Sequence, residues 1–207
     1  FSSLVIAFTV GRLGAWAKLS PNRLAQRLAG AYTTIVRGVP DLVLILLVFF
    51  GGQVTLNNIG AITGLWGYVE VSQFAAGAGT IGVIFGAYFT ETFRGAIMAI
   101  PRGQIEAGIS CGMRKSLIFR HIIWPQMVRF ALPGFTNNWL VQLKTTALVS
   151  VIGLQDLVYN AFTAGRSTGQ LFTFMAAAFV IYLLLTGVSD LLLRAVERHY
   201  NRGVVRA

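Results

Sequence analysis

The groups able to do chemistry in this chain are few: seven carboxylates, seventeen lysines and arginines, two histidines and one cysteine among 207 residues. Several fall inside apolar runs, where a charge is costly and points to a role in function. Glu91 and Arg94 are three residues apart, close enough to pair on one helix face. Such a pair either aids insertion or belongs to a pathway. Lys144 lies in another apolar run, with Gln142, Thr145, Thr146 and Ser150 around it. A run this polar is expected to line a pathway rather than face lipid on all sides. Lys144 offers charge to a ligand carboxylate or pairs with an acid on a neighbouring helix. Gln155 and Asp156 follow Gly153, where a helix break exposes backbone carbonyls to a cavity. Asp156 either caps the next short helix or, with Gln155, contacts a cationic ligand.

Two glycine patterns imitate catalytic motifs. Gly77 to Gly82 matches a dinucleotide fingerprint, which requires a strand before it and a βαβ unit around it. Here it opens an apolar run, and Gly82 and Gly86 read as a small-residue face for close helix packing. Gly108 to Gly112 matches a nucleophile elbow, but the α/β sheet that such an elbow needs is not in the pattern. No glycine-rich phosphate loop ending in Lys-Ser/Thr occurs, so ATP binding by this chain is not expected. Cys111 is alone, which excludes an internal disulfide, and no Cys/His cluster suggests a metal. His121 and His199 lie among basic residues and read as solvated.

The elements that carry these residues are set by composition. Residues are 55% hydrophobic and 12% charged, about half the charged share of a soluble domain. Apolar segments run from Phe1 to Ala17, Gly38 to Gly52, Ala75 to Ile100, Phe130 to Ile152 and Leu171 to Leu193. They predict an all-α, polytopic bundle of about five spans in a single domain, residues 1–207. The chain opens on Phe rather than Met, so residues are expected ahead of it, and no signal peptide is read. Ser20-Pro21 starts a basic amphipathic helix suited to the membrane interface, broken at Arg37-Gly38-Val39-Pro40. Residues Gly51 to Phe74, rich in Gly and Asn, read as an exposed loop with short structure.

The net charge of +10 does not indicate nucleic acid, because the cations form short clusters between apolar runs. Thirteen fall in three segments: Lys18, Arg23, Arg27 and Arg37; Arg102, Arg114, Lys115, Arg120 and Arg129; Arg194, Arg198, Arg202 and Arg206. The two remaining loops hold only Arg166. By the positive-inside rule the three clusters and the C-terminus are cytoplasmic. The arginines from Arg194 onward anchor on anionic lipid, and Asp190 pairs with Arg194. No internal repeat is visible, which counts against a carrier that works alone.

Residues Gln104 to Gln126, inside the loop from about 101 to 126, are too polar to span and too amphipathic for a linker. Ile105, Ile109, Met113 and Leu117 recur every four residues and mark one helical face. Glu106 near the helix start meets the positive dipole end, and Gly112 allows a close approach. The helix either docks in a groove of a soluble partner or lies on lipid.

Glu106-Ala107, Gly112, Ile122 and Pro125 resemble the EAA loop of ABC importer permeases. Gly108 stands where the family has a third small residue, usually Ala, and Trp124 where it has Leu. Ala31–Val43, Gly86–Ala107 and Asn137–Val158 are similar to the polar-amino-acid branch, including histidine, lysine-arginine-ornithine and opine importers. The resemblance implies the type I ABC importer permease fold in a bacterial inner membrane. It implies a second homologous permease, a cytoplasmic ATPase dimer holding ATP and Mg, and a periplasmic amino-acid-binding protein. It also implies that Glu106, Ala107, Gly108, Gly112, Arg114 and Lys115 couple to the ATPase, with no cofactor in this chain. Glu91, Arg94, Lys144, Thr145, Ser150, Gln155 and Asp156 are the candidates for the substrate pathway. The alternative is an ion-coupled secondary amino acid transporter.

Overall fold

A computed structural model describes residues 1–200; Arg202 and Arg206 lie outside the described residues. The described residues form helices joined by short connections: α1 Ser2–Leu19, α2 Arg23–Gly38, α3 Asp41–Thr63, α4 Gln73–Met98, α5 Arg102–Ser110, α6 Lys115–Ile152, α7 Leu157–Thr168 and α8 Leu171–Tyr200. The all-α expectation holds. Helices α3 and α8 are long and apolar enough to cross a bilayer unaided. Two further crossings are formed if the bent pairs α4–α5 (56°) and α6–α7 (52°) each count as one. The 18 residues of α1 reach about 27 Å at 1.5 Å per residue, just short of the hydrocarbon thickness.

Helix α4 is the centre of the bundle, with Ile81, Ile84, Phe85, Phe89 and Phe93 buried. It runs parallel to α1, because Ser3 and Ile6 lie against Gly82, Val10 against Gly86 and Gly11 against Phe89. The approach depends on small residues, spaced by four, at Ser3, Ala7, Gly11 and Ala15 of α1. A Cβ at Gly11 would sit 2.5 Å from that of Phe89, and one at Gly82 2.6 Å from that of Ile6. Gly82 and Gly86 therefore form the packing face that their spacing predicts. Two parallel helices need one return crossing between them, and α3 supplies it.

Helix α6 runs antiparallel to α4. Asn138 donates to Thr92 at 3.0 Å, Phe135 stacks on Phe89, and Val149 meets Gly77. α8 in turn lies along α6, with Thr136 donating to Glu197 at 3.0 Å. One end of the bundle thus gathers Lys18, Glu91, Arg94, α5 and Glu197, and the other gathers Phe1, Phe74, Asp156 and Tyr182.

Two boundaries differ from expectation. The span drawn from Gly38 to Gly52 continues to Thr63, and only residues 64–72 are non-helical. The amides that suggest a loop are instead helix side chains clasping the returning chain. Asn57 accepts from the Val69 N–H at 2.7 Å and Gln53 from the Val71 N–H at 2.6 Å. Gly64, at φ +65°, ends the helix. The helix that carries the fourth apolar segment begins at Lys115, ahead of the segment's expected start near Phe130. A wide π-type turn at Phe119–Ile123 lies one residue before Pro125, whose missing N–H breaks the regular ladder.

Candidate functional site

Helix α5 and the start of α6 form a helix-turn-helix at the basic end. α5 closes with paired bonds, from Met113 N–H to the Gly108 carbonyl at 3.0 Å and from Gly112 N–H to the Ile109 carbonyl at 2.9 Å. This closure requires a left-handed residue, and Gly112 has φ +72°. Arg114 is then the first boundary residue of α6. The single helical face of Ile105, Ile109, Met113 and Leu117 is therefore broken, because the chain reverses between Ser110 and Lys115. A further requirement for glycine at 112 appears. A Cβ there would meet nothing within 4 Å, so its backbone angle, not a close approach within this chain, requires glycine.

The close approach belongs to Gly108, which is buried with Ile122 2.9 Å and Ile118 3.3 Å from a would-be Cβ. Here α5 folds back on α6, and Gln126 donates to Gln104 at 2.5 Å to fasten the two. Glu106, Ala107, Ile109, Arg114 and Lys115 are left exposed. Glu106 is the fifth residue of α5, beyond the first turn, so the helix dipole acts on it less than expected. A cleft of about 460 Å³ opens beside Ala107, Cys111, His121 and Gln126.

At the opposite end a cavity of about 240 Å³ is lined by Phe1, Phe74, Ile81, Thr146, Asp156 and Tyr182. Asp156 does two things there. Its Oδ1 accepts from the Tyr159 N–H at 2.8 Å and caps α7. Its Oδ2 is buried without a hydrogen-bond partner among the described residues, although the residue lines the cavity. Gly153, at φ +84°, makes the break that brings it there. Gln155 is exposed.

The other pathway candidates separate. Thr145 and Ser150 give their hydroxyl hydrogens to the Val141 and Ala147 carbonyls at 3.1 and 2.8 Å. Lys144 is exposed and makes no salt bridge, so the acid partner considered for it is not found among the described residues. Glu91 and Arg94 lie at the basic end, away from Asp156. Arg94 Nε donates to Glu91 Oε2 at 3.0 Å. The other Glu91 oxygen pairs with Lys18, which also donates to Thr33 at 2.6 Å. Four side chains thereby tie α1, α2 and α4 together. Tyr32 adds a bond to the Val83 carbonyl, and burial pushes its pKa up to about 12, so it remains a donor at neutral pH.

Residues 8–202 match the family of binding-protein-dependent transport system inner membrane components. The chain belongs to this family. It is 50% identical over 206 residues to the histidine/lysine/arginine/ornithine transport system permease protein HisQ of Escherichia coli K12, covering 100% of this chain and 90% of that protein. It is 44% identical to the octopine transport system permease protein OccQ of Rhizobium radiobacter, covering 100% and 87%. A crystal structure of an amino acid ABC transporter with histidines superposes with TM-score 0.81 at 31% identity, over 96% of this chain and 87% of that one. The methionine transporter MetNI, 18% identical with TM-score 0.70, shares the fold. The permease is thus a transport subunit and not an enzyme, with ATP hydrolysis in a separate subunit.

Sequence reasoning missed two features of this permease and named a third without its burial. Lys18 reads as a loop cation, yet its carboxylate partner is 73 residues away. Tyr182 sits in a long apolar run, where its hydroxyl is the only hint that it borders a cavity. Gln142 is 1% exposed, and neither amide atom is hydrogen-bonded among the described residues. An unsatisfied buried amide costs about 1–3 kcal/mol.

Proposed function

We propose that this permease forms half of the translocation pathway of an ATP-driven importer for basic amino acids, of the histidine, lysine, arginine and ornithine class. Its partners are a second homologous permease, a cytoplasmic ATPase dimer that holds ATP and Mg, and a periplasmic amino-acid-binding protein. The chain itself carries no cofactor. The observation that supports the reading best is the exposed α5 turn, with Glu106 and Ala107 outward and Gly112 left-handed. A helix of this kind fits a cleft on a soluble subunit. ATP-driven closure of that subunit moves α5, and its fastening to α6 through Gly108 and Gln104 carries the motion into the bundle. The cycle is a shift between inward- and outward-facing populations. An ion-coupled carrier acting alone is not favoured, since the family depends on a binding protein.

The thirteen clustered cations put the basic end, with α5 and the C-terminus, in the cytoplasm. Single cysteines at positions 114 and 57 in a Cys111-free chain test this in intact cells. Position 57 is expected to react with an impermeant maleimide from outside, and position 114 only after the membrane is ruptured. The reverse pattern would invert the orientation.

Gly112→Val places a β-branched residue at φ +72°. The strain of about 1–2 kcal/mol falls on the α5 turn alone, so the bundle is expected to insert normally. ATPase stimulation by loaded binding protein is expected to drop about tenfold or more. Gly112→Asn, which tolerates left-handed backbone better, is expected to recover part of it. Full stimulation in the Val variant would show that this turn does not couple the ATPase.

A further inference from the structure

The cavity beside Asp156 gathers polar side chains from three elements. Thr146 comes from α6, Asp156 from the start of α7 and Tyr182 from α8. The Tyr182 hydroxyl lies beside that of Thr146 and within the field of the Asp156 carboxylate. Thr146 gives its own hydrogen to the Leu143 carbonyl at 2.6 Å. Its lone pairs are therefore free to take the Tyr182 hydrogen, which leaves the phenolic oxygen as an acceptor. Asp156 Oδ2, without a partner among the described residues, is a second acceptor on the same cavity. Among the described residues no lysine or arginine lines it, and Phe74, Ile81, Val149 and Leu154 make apolar walls.

A cation with many donors fits this lining better than a compact one. An ammonium is a strongly hydrated point charge, whereas a guanidinium is planar, more weakly hydrated and offers five N–H groups in a fixed fork. Two acceptors held on different helices over apolar walls match such a fork. At about 240 Å³ the cavity is smaller than the roughly 300–1,000 Å³ of sites that enclose a whole small-molecule ligand, so it suits the end of a side chain. We propose that the cavity takes the guanidinium of an arginine-type substrate, and that Tyr182 sets its preference for guanidinium over ammonium. Thr146 is a positioning residue, since it acts by holding the Tyr182 hydroxyl. The proposal rests on the reading of this chain as a permease for basic amino acids. To the charge of Asp156 it adds the group that tells arginine from lysine.

The test is equilibrium dialysis of labelled arginine and lysine against the whole purified importer, without binding protein, so that the membrane subunits alone set the preference. Wild type is expected to bind arginine about tenfold more tightly than lysine, the worth of one hydrogen bond to a charged group. Methylguanidine is expected to displace the arginine at lower concentration than methylammonium. Tyr182→Phe keeps the ring and loses the hydroxyl. It is expected to weaken arginine about tenfold and lysine about twofold at most, and Thr146→Val is expected to shift the ratio the same way. Equal weakening of arginine and lysine by Tyr182→Phe, or no effect on either, would overturn the assignment. So would equal displacement by methylguanidine and methylammonium, which wild type alone reports, or a wild-type complex that binds no arginine. Arginine binding lost in Asp156→Asn but untouched in Tyr182→Phe would remove Tyr182 and leave the permease reading in place.

Discussion

Glu91→Gln is expected to remove most of the permease from the assembled membrane fraction. Glu91 is the shared partner of Lys18 and Arg94, and the Lys18 and Glu91 side chains are only 15% and 22% exposed. Taking away one member of a buried ion pair leaves an uncompensated charge and costs about 3–5 kcal/mol. The lower end applies here, because Arg94 is more exposed and can turn to water. Folded permeases are only marginally stable, so even about 3 kcal/mol is a large share of the total. Lys18→Met combined with Glu91→Gln removes both charges and is expected to be more stable than Glu91→Gln alone. The measurement is the thermal midpoint of the purified complex across the four members of that cycle. Independent, additive effects of the two substitutions would show that the pair does not hold α1 to α4.

Asp156→Asn is expected to reduce uptake of arginine or lysine about tenfold to a hundredfold, while assembly and basal ATPase activity stay near normal. The choice of Asn follows from the geometry. Asn caps a helix about as well as Asp, so its side-chain oxygen can keep the 2.8 Å bond to the Tyr159 N–H. What it removes is the charge beside the cavity. A hydrogen bond to a charged group contributes about 1.5–3 kcal/mol, which sets the expected loss. Asp156→Ala removes cap and charge together and is expected to lower stability as well, by about 1 kcal/mol. Unchanged uptake kinetics in the Asn variant, with normal assembly, would move the cationic subsite to the second permease.

What was legible in the sequence is what local spacing encodes. Apolar runs locate the helices, and Gly82 and Gly86 announce the face that α1 packs against. Glu106, Gly112 and Pro125 mark the loop by their intervals. The conformation inside the loop was not legible, because an amphipathic pattern does not say where a chain reverses. Only the positive φ of Gly112 breaks the apparent helix. Residues 52–63 read as loop because composition is local, whereas the contacts of Gln53 and Asn57 reach 12 to 18 positions ahead. In the sequence Asp156 has two readings, cap or ligand contact. The structure gives its Oδ1 to the cap and leaves Oδ2 without a partner among the described residues, beside the cavity, so the cap does not exclude the contact.

The most direct test of the importer assignment is uptake into proteoliposomes holding this permease, its second permease and the ATPase, with loaded binding protein outside. Labelled arginine is expected to accumulate only when ATP is enclosed and binding protein is present, and proton or sodium gradients are expected to have no effect. Accumulation driven by an ion gradient without ATP, by this permease alone, would contradict it.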